Sequence, residues 1–234
     1  MELLIISLVF MGLGWLVQRR LRNKFDYYSQ IHLTKDITGQ QAAERMLADN
    51  GIRDVRVISV EGRLTDHYNP SDKTVNLSHD VYYGRNAAAV AVAAHECGHA
   101  VQHARAYSML GLRSKMVPAT NISARILNIL MMVMMFGGLA VLGTGAAPML
   151  VAVMVGCNLV LTLFAAVTLP VEFDASNRAL AWLSSSGVVS SQEHEMAKDA
   201  LWWAAMTYVV AALGALAQLL YWVAMLMGMN RDDD

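Results

Sequence analysis

Residues Ile126 to Leu169 read ILNILMMVMMFGGLAVLGTGAAPMLVAVMVGCNLVLTLFAAVTL, without one charged side chain. As a single helix this run would extend about 66 Å at ~1.5 Å per residue, roughly two crossings of a ~30 Å hydrocarbon core. The stretch GTGAAP (Gly143 to Pro148) interrupts it in the middle. A hairpin follows, with one span from roughly Ile126 to Leu142 and the next from roughly Met149 to Leu169. The MMVMM cluster (Met131 to Met135) inside the first arm reads as lipid-facing or packing surface rather than a metal site.

Two more spans flank this hairpin at a distance. Leu3 to Val17 is apolar, is preceded only by Glu2, and is followed by Arg19, Arg20, Arg22 and Lys24. Positive residues collect on the cytoplasmic side, so this helix places its N-terminus outside. It has neither a basic leader nor a small-residue cleavage site and reads as a retained anchor. Ala200 to Met229 is the fourth charge-free run; Trp202, Trp203, Tyr208, Tyr221 and Trp222 lie toward its ends, as interfacial aromatics do.

Composition agrees. The chain has 234 residues, of which 56% are apolar and 16% charged, with a positive mean hydropathy. It is too oily for an ordinary soluble domain. A net charge of −1 gives no electrostatic reason for a nucleic-acid partner. Cys97 and Cys157 sit in apolar surroundings on segments that are not expected to meet, so a disulfide framework is not expected.

About 100 residues between the first and second spans read as a folded domain. Thr38 and Gln41 form a capping-box start, a helix runs through QQAAERMLADN (Gln40 to Asn50), and Gly51 supplies a left-handed stop. VRVISV (Val55 to Val60) and TVNLS (Thr74 to Ser78) alternate like strands, with NPSD (Asn69 to Asp72) turning between LTDHY and the latter. The expected architecture is a mainly α membrane protein. Four transmembrane helices carry a small α+β domain inserted between the first and second, made zincin-like by the HECGH (His95 to His99) on its last helix. The division is an anchor (1–18), a cytoplasmic metallopeptidase domain bearing that HExxH helix (19–120), a transmembrane hairpin (121–170), a cytoplasmic segment (171–199) and a C-terminal transmembrane helix (200–229).

Within that domain the chain reads HECGHAVQH from His95 to His103, after the helical AAAVAVAA. On a helix His95 and His99 lie one turn apart on one face and can share a tetrahedral Zn²⁺, while Glu96 lies beside them to act on water at the ion. Gly98 allows close packing within the motif. LPVEFDAS (Leu169 to Ser176) offers a third ligand: Glu172 and Asp174 sit just past the third span, where a carboxylate is costly unless paired or bound to metal. Two spans separate His99 from Glu172, so both emerge on the same side. His103 continues the histidine stripe, but three successive i, i+4 histidines spread over about 12 Å of axis, too far for one ion. His32, His67 and His79 read as surface or loop residues.

AAHECGHAVQH, the hairpin, LPVEFDAS and the last span MTYVVAALGALAQLL (Met206 to Leu220) together resemble the YugP-type family of bacterial membrane neutral zinc metallopeptidases, over essentially the whole chain. More distantly the chain is similar to the HtpX and CAAX prenyl proteases. The resemblance implies Zn²⁺ held by His95, His99 and Glu172, with Glu96 as the catalytic base. The broader group carries ExxxD downstream. Here the position four after Glu172 is Ser176 and the acid stands at Asp174, which is either a partner of the site or a cap for the next helix.

Three protein ligands leave a fourth position for water, and Glu96 would take its proton as it attacks a peptide carbonyl and pass it to the leaving amine. Tyr82, Tyr83, His194 and Arg178 are candidate oxyanion donors. TVNLS is a candidate edge for pairing with an extended substrate. Two other functions compete: a non-catalytic zinc scaffold, which needs a fourth protein ligand, and a site-2-type intramembrane protease, which needs the motif inside a span. Only about nine uncharged residues precede the motif, against the roughly 20 a span requires. Arg113, Lys115, Arg125, Arg178 and Lys198 lie on one side and DDD (Asp232 to Asp234) on the other, which predicts a bacterial inner-membrane enzyme with its site facing the cytoplasm. The expected partners are the lipid bilayer and membrane-associated protein or peptide substrates.

Overall fold

The computed structural model describes residues 1–136 and 147–229. Most of the GTGAAP interruption and the terminal DDD therefore lie outside the described residues. The elements, in chain order, are α1 (Glu2–Ser29), α2 (Gly39–Asp49), β1 (Arg56–Val60), β2 (His67–Asn69), β3 (Thr74–Ser78), α3 (His79–Tyr82), α4 (Ala87–Ala104), α5 (Ser108–Met135), α6 (Ala147–Ser186) and α7 (Ser191–Met229). Four helices are long and apolar enough to cross a membrane: α1, α5, α6 and Ser191–Gly228 of α7. Each extends beyond the apolar run that marks it, because α1 continues through its basic cluster to Ser29 and α5 begins at Ser108, well before Ile126.

The chain divides into two compact units. One comprises Met1–Gly14, Leu112–Leu169 and Tyr208–Asp234. Its core is the cluster of Val151, Met154 and Trp222, packed by Leu3, Leu127 and Leu130. Gly214 admits the Phe10 ring, whose Cγ would lie 3.3 Å from an added Cβ. Polar side chains here are satisfied by backbone: Asn158 donates to Met154 O, and Thr162 Oγ1 contacts both Asn158 O and Ala215 O, at 2.8 and 3.1 Å. The first two lie within α6, and only the Thr162 contact to Ala215 O fastens α6 to α7, a bond that hydrocarbon favours because water offers no alternative.

The other unit comprises Trp15–Gly111 and Pro170–Thr207, and α4 is its axis. The alanines of Ala87–Ala94 are almost all fully buried, with Val75, Leu77, Met46 and Leu183 around them. Small side chains let neighbours approach closely: a Cβ on Gly39 would lie 2.1 Å from Val81 O and 3.3 Å from Ala89 O. Asn86 caps α4 by accepting from Ala89 N at 2.9 Å. The capping box of α2 forms as the sequence predicts, Gln41 N donating to Thr38 Oγ1 and Thr38 N to Gln41 Oε1. Gly51 takes φ +73°.

The sheet has the order β1-β3-β2. β3 pairs in parallel with β1 (Val57 opposite Val75) and antiparallel with β2 (Tyr68 opposite Val75). The tight NPSD turn is built on Asn69 Oδ1, which accepts from Ser71 N at 2.9 Å. TVNLS is therefore the central strand, buried along its whole length. The expectation that TVNLS offers a free edge is overturned, because both of its edges are already hydrogen-bonded. β2 is an outer strand instead.

Candidate metal centre

Backbone proximity builds this site before any side chain does. A Cβ on Gly98 would lie 2.5 Å from Ala175 O and 3.1 Å from Ala175 Cα, so α4 and α6 touch backbone to backbone there. Gly98 follows His95 by one helical turn and directly precedes His99; Ala175 follows Glu172 by about one turn and directly precedes Ser176. The contact therefore sets both histidines against Glu172.

Glu172 Oε2 lies 3.3 Å from His95 Nε2 and 3.6 Å from His99 Nε2. The three side chains each offer one donor atom, all within 4.8 Å of one another. With Zn–N and Zn–O bonds near 2.1 Å, two ligands of a tetrahedral ion stand about 3.4 Å apart. The spacing and the N, N, O donor set thus fit zinc. The two imidazoles stand nearly perpendicular, at 86° with centroids 4.8 Å apart. Glu172 is only 2% exposed and His99 9%. Burial alone would lower the His99 pKa. The hydrogen bond to Glu172 and the nearby Glu96 charge outweigh it and hold the imidazole above its ordinary value.

Glu96, on α4 beside the histidines, is 8% exposed. Its Oε2 accepts from the backbone N–H of Tyr68 on β2 at 3.0 Å. The base candidate is thereby oriented from the outer strand, a role for Tyr68 that no local sequence pattern announces.

Asp174 stands apart from the three donors. It takes the guanidinium of Arg178, with Nε 2.6 Å from Oδ2, and receives Gln102 Nε2 at 2.7 Å. It is thus a partner of the site through Gln102 rather than a cap. His103 lies outside the donor cluster, its Nδ1 2.8 Å from Tyr68 Oη. His67 Nδ1 donates to Thr65 O, and His79 stacks on Tyr83 with centroids 4.7 Å apart. His32 forms a backbone bridge to Asn86. Cys97 Sγ is 3.5 Å from Ala43 O, and burial pushes its thiol pKa up, which suits packing rather than metal binding. Of the oxyanion candidates, Arg178 is engaged by Asp174 and His194 by Leu180 O at 3.1 Å, while the Tyr82 and Tyr83 rings pack edge to face against each other.

Two residues that sequence reasoning passed over touch the two histidines. Ser176 Oγ is 3.1 Å from His95 Nδ1, and Gln102 Oε1 is 3.0 Å from His99 Nδ1. Ser176 stands four after Glu172, the position noted as departing from ExxxD, which was the available signal.

The sequence of the chain matches known proteins. Residues 3–227 match the family described as "Putative neutral zinc metallopeptidase". The chain is 37% identical over 235 residues to "Putative membrane protease YugP" of Bacillus subtilis (strain 168), covering 100% of both chains. No solved structure matches the chain. With the match running through nearly its whole length, and with four helices long and apolar enough to cross a bilayer, this chain is a membrane protein that belongs to the family described as "Putative neutral zinc metallopeptidase".

Proposed function

We propose that the chain is a zinc-dependent endopeptidase of the membrane, with His95, His99 and Glu172 as ligands and Glu96 as general base. The observation that carries this reading is the convergence of those three donors within 4.8 Å beside a carboxylate held at one oxygen by Tyr68 N–H. Bound zinc supplies Lewis acidity, acidifying a water and polarising a carbonyl. Glu96 does the proton work. With Oε2 occupied, Oε1 takes the proton of the attacking water and then returns it to the departing amine nitrogen. Tyr68 N–H keeps the carboxylate from swinging away between the two transfers.

Among the described residues the donor cluster contains three protein groups, and a catalytic site needs a fourth position open. This favours hydrolysis over a structural zinc scaffold. α4 is buried in the core around the sheet and is not among the helices that are apolar and long enough to span, which counts against a site-2-type intramembrane protease.

The zincin-like HExxH domain is read as the insertion between the first and second spans (19–120), completed by 171–199. The body faces the cytoplasm of a bacterial inner membrane, and the substrates are membrane proteins or their adjoining segments. Reporter fusions after residues 30 and 190 test the orientation, and activity only in periplasmic reporters would refute it. Purified enzyme that cleaves soluble casein as fast as membrane proteins would overturn the substrate reading. The central test pairs Glu96→Gln with His95→Ala, measuring zinc content and proteolysis together. The first should keep metal and lose turnover; the second should lose both. Full activity in Glu96→Gln ends the peptidase assignment.

A further inference from the structure

Each of the two imidazoles has a buried partner on the side away from Glu172, and the partners are not interchangeable surface groups. Gln102 has no exposed surface. Its Nε2 lies 2.7 Å from both Val171 O and Asp174 Oδ2. A carbonyl and a carboxylate only accept, so the amide nitrogen must face them and Oε1 must face His99. An oxygen that accepts requires a donor opposite. His99 Nδ1 therefore carries a hydrogen, which leaves Nε2, the nitrogen on the Glu172 side, as the one that would give its lone pair to a bound metal. Asp174 is itself fixed by Arg178 through two contacts, at 2.6 and 3.3 Å, and the guanidinium lies over the Tyr107 ring, 5.9 Å from its centroid. The orientation of His99 is thus set by a chain running Tyr107, Arg178, Asp174, Gln102.

His95 has a separate and shorter support, Ser176 Oγ at 3.1 Å from Nδ1. Ser176 is 7% exposed and borders a cavity of about 430 Å³ also lined by Phe173, Leu180 and Trp202.

The geometry points to Gln102 and Ser176 as positioning residues that fix the tautomer and ring orientation of His99 and His95 for metal binding. This rests on the assignment of His95, His99 and Glu172 as ligands. Outer partners of ligating imidazoles raise ligand basicity and hold the ring in place, and their loss costs roughly 10–100-fold in metal affinity. Ser176→Ala deletes the hydroxyl with little change in volume. Gln102→Met keeps the volume and removes the acceptor. Ser176→Thr keeps the hydroxyl, with room for its methyl in the adjoining cavity.

The experiment is zinc affinity of the full-length protein in detergent, by competition with a chromophoric chelator, with the melting temperature of the metal-free protein recorded for every variant. Ser176→Ala and Gln102→Met should each weaken zinc roughly 10–100-fold, and Ser176→Thr should bind as the parent does. The cobalt(II)-substituted absorption bands should shift in Gln102→Met and not in Ser176→Thr. Residues with only a packing role would lower the metal-free melting temperature and leave affinity unchanged, and that result overturns the proposal. If Gln102→Met does not fold, Ser176→Ala and Ser176→Thr decide it. Glu172→Ala separates the two readings: loss of zinc there with unchanged affinity in Ser176→Ala and Gln102→Met rejects the positioning roles alone, while unchanged zinc in Glu172→Ala rejects the ligand assignment itself.

Discussion

Glu96 and the three proposed metal donors make different demands on single atoms, and substitutions separate them. Glu96→Gln preserves the hydrogen bond from Tyr68 N–H, which needs only an oxygen acceptor, and removes the proton acceptor. Turnover should fall by roughly 10²–10⁴-fold with zinc content unchanged, since that is the usual contribution of a positioned acid–base group; metal analysis and a peptide-cleavage assay on the same sample check it. Glu172→Ala removes a donor buried to 2% exposure and should strip zinc from the purified protein. At this scale the sequence was informative wherever spacing carries the chemistry: His95, Glu96 and His99 lie within one helical turn or so, and Glu172 is a carboxylate at the foot of an apolar run. Gln102 was not legible, and Ser176 showed only as the departure from ExxxD, without a role. Their significance depends on which way an amide and a hydroxyl point across α4 and α6, and one-dimensional spacing does not contain that.

Between elements, the decisive contact is α4 against α6 at Gly98 and Ala175. Gly98→Ala places a methyl 2.5 Å from Ala175 O, against backbone that cannot swing aside as a side chain would. We expect about 1–3 kcal/mol of lost stability, read by denaturant unfolding, together with weakened zinc binding because Glu172 shifts relative to both histidines. Thr38→Ala breaks the reciprocal cap of α2 and should cost about 1 kcal/mol without altering zinc affinity, because the cap groups Thr38 and Gln41 bond to each other and to none of the three donors. The cap was readable from four consecutive residues, and so were the helix stop at Gly51 and the turn at NPSD. Strand order was not. β1 and β3 pair directly in parallel although β2 lies between them in sequence, a long-range choice that alternation of side chains leaves open, and the reading of TVNLS as a free edge failed for that reason.

For the whole molecule, zinc should act as a stabilising ligand. At a free concentration about 100 times its dissociation constant it adds about 2.7 kcal/mol, so the melting temperature of the parent should rise with zinc and fall on chelation, whereas His95→Ala should not respond. A parent melting curve indifferent to zinc would contradict the site. The four long apolar helices were evident from charge-free runs, because lipid imposes a length and forbids charge over that length. Their full extents were not evident, since α1 and α5 continue as helix through basic residues where composition signals a boundary. One consequence follows from the donors lying on α4 and α6. A ribosome has delivered His95, Glu96 and His99 long before Glu172 exists, so two imidazoles alone must wait through the synthesis of the hairpin. If the three groups hold zinc as proposed, the nascent chain would stay unarmed until its third long apolar helix is made, and it would not cut neighbouring chains while still emerging.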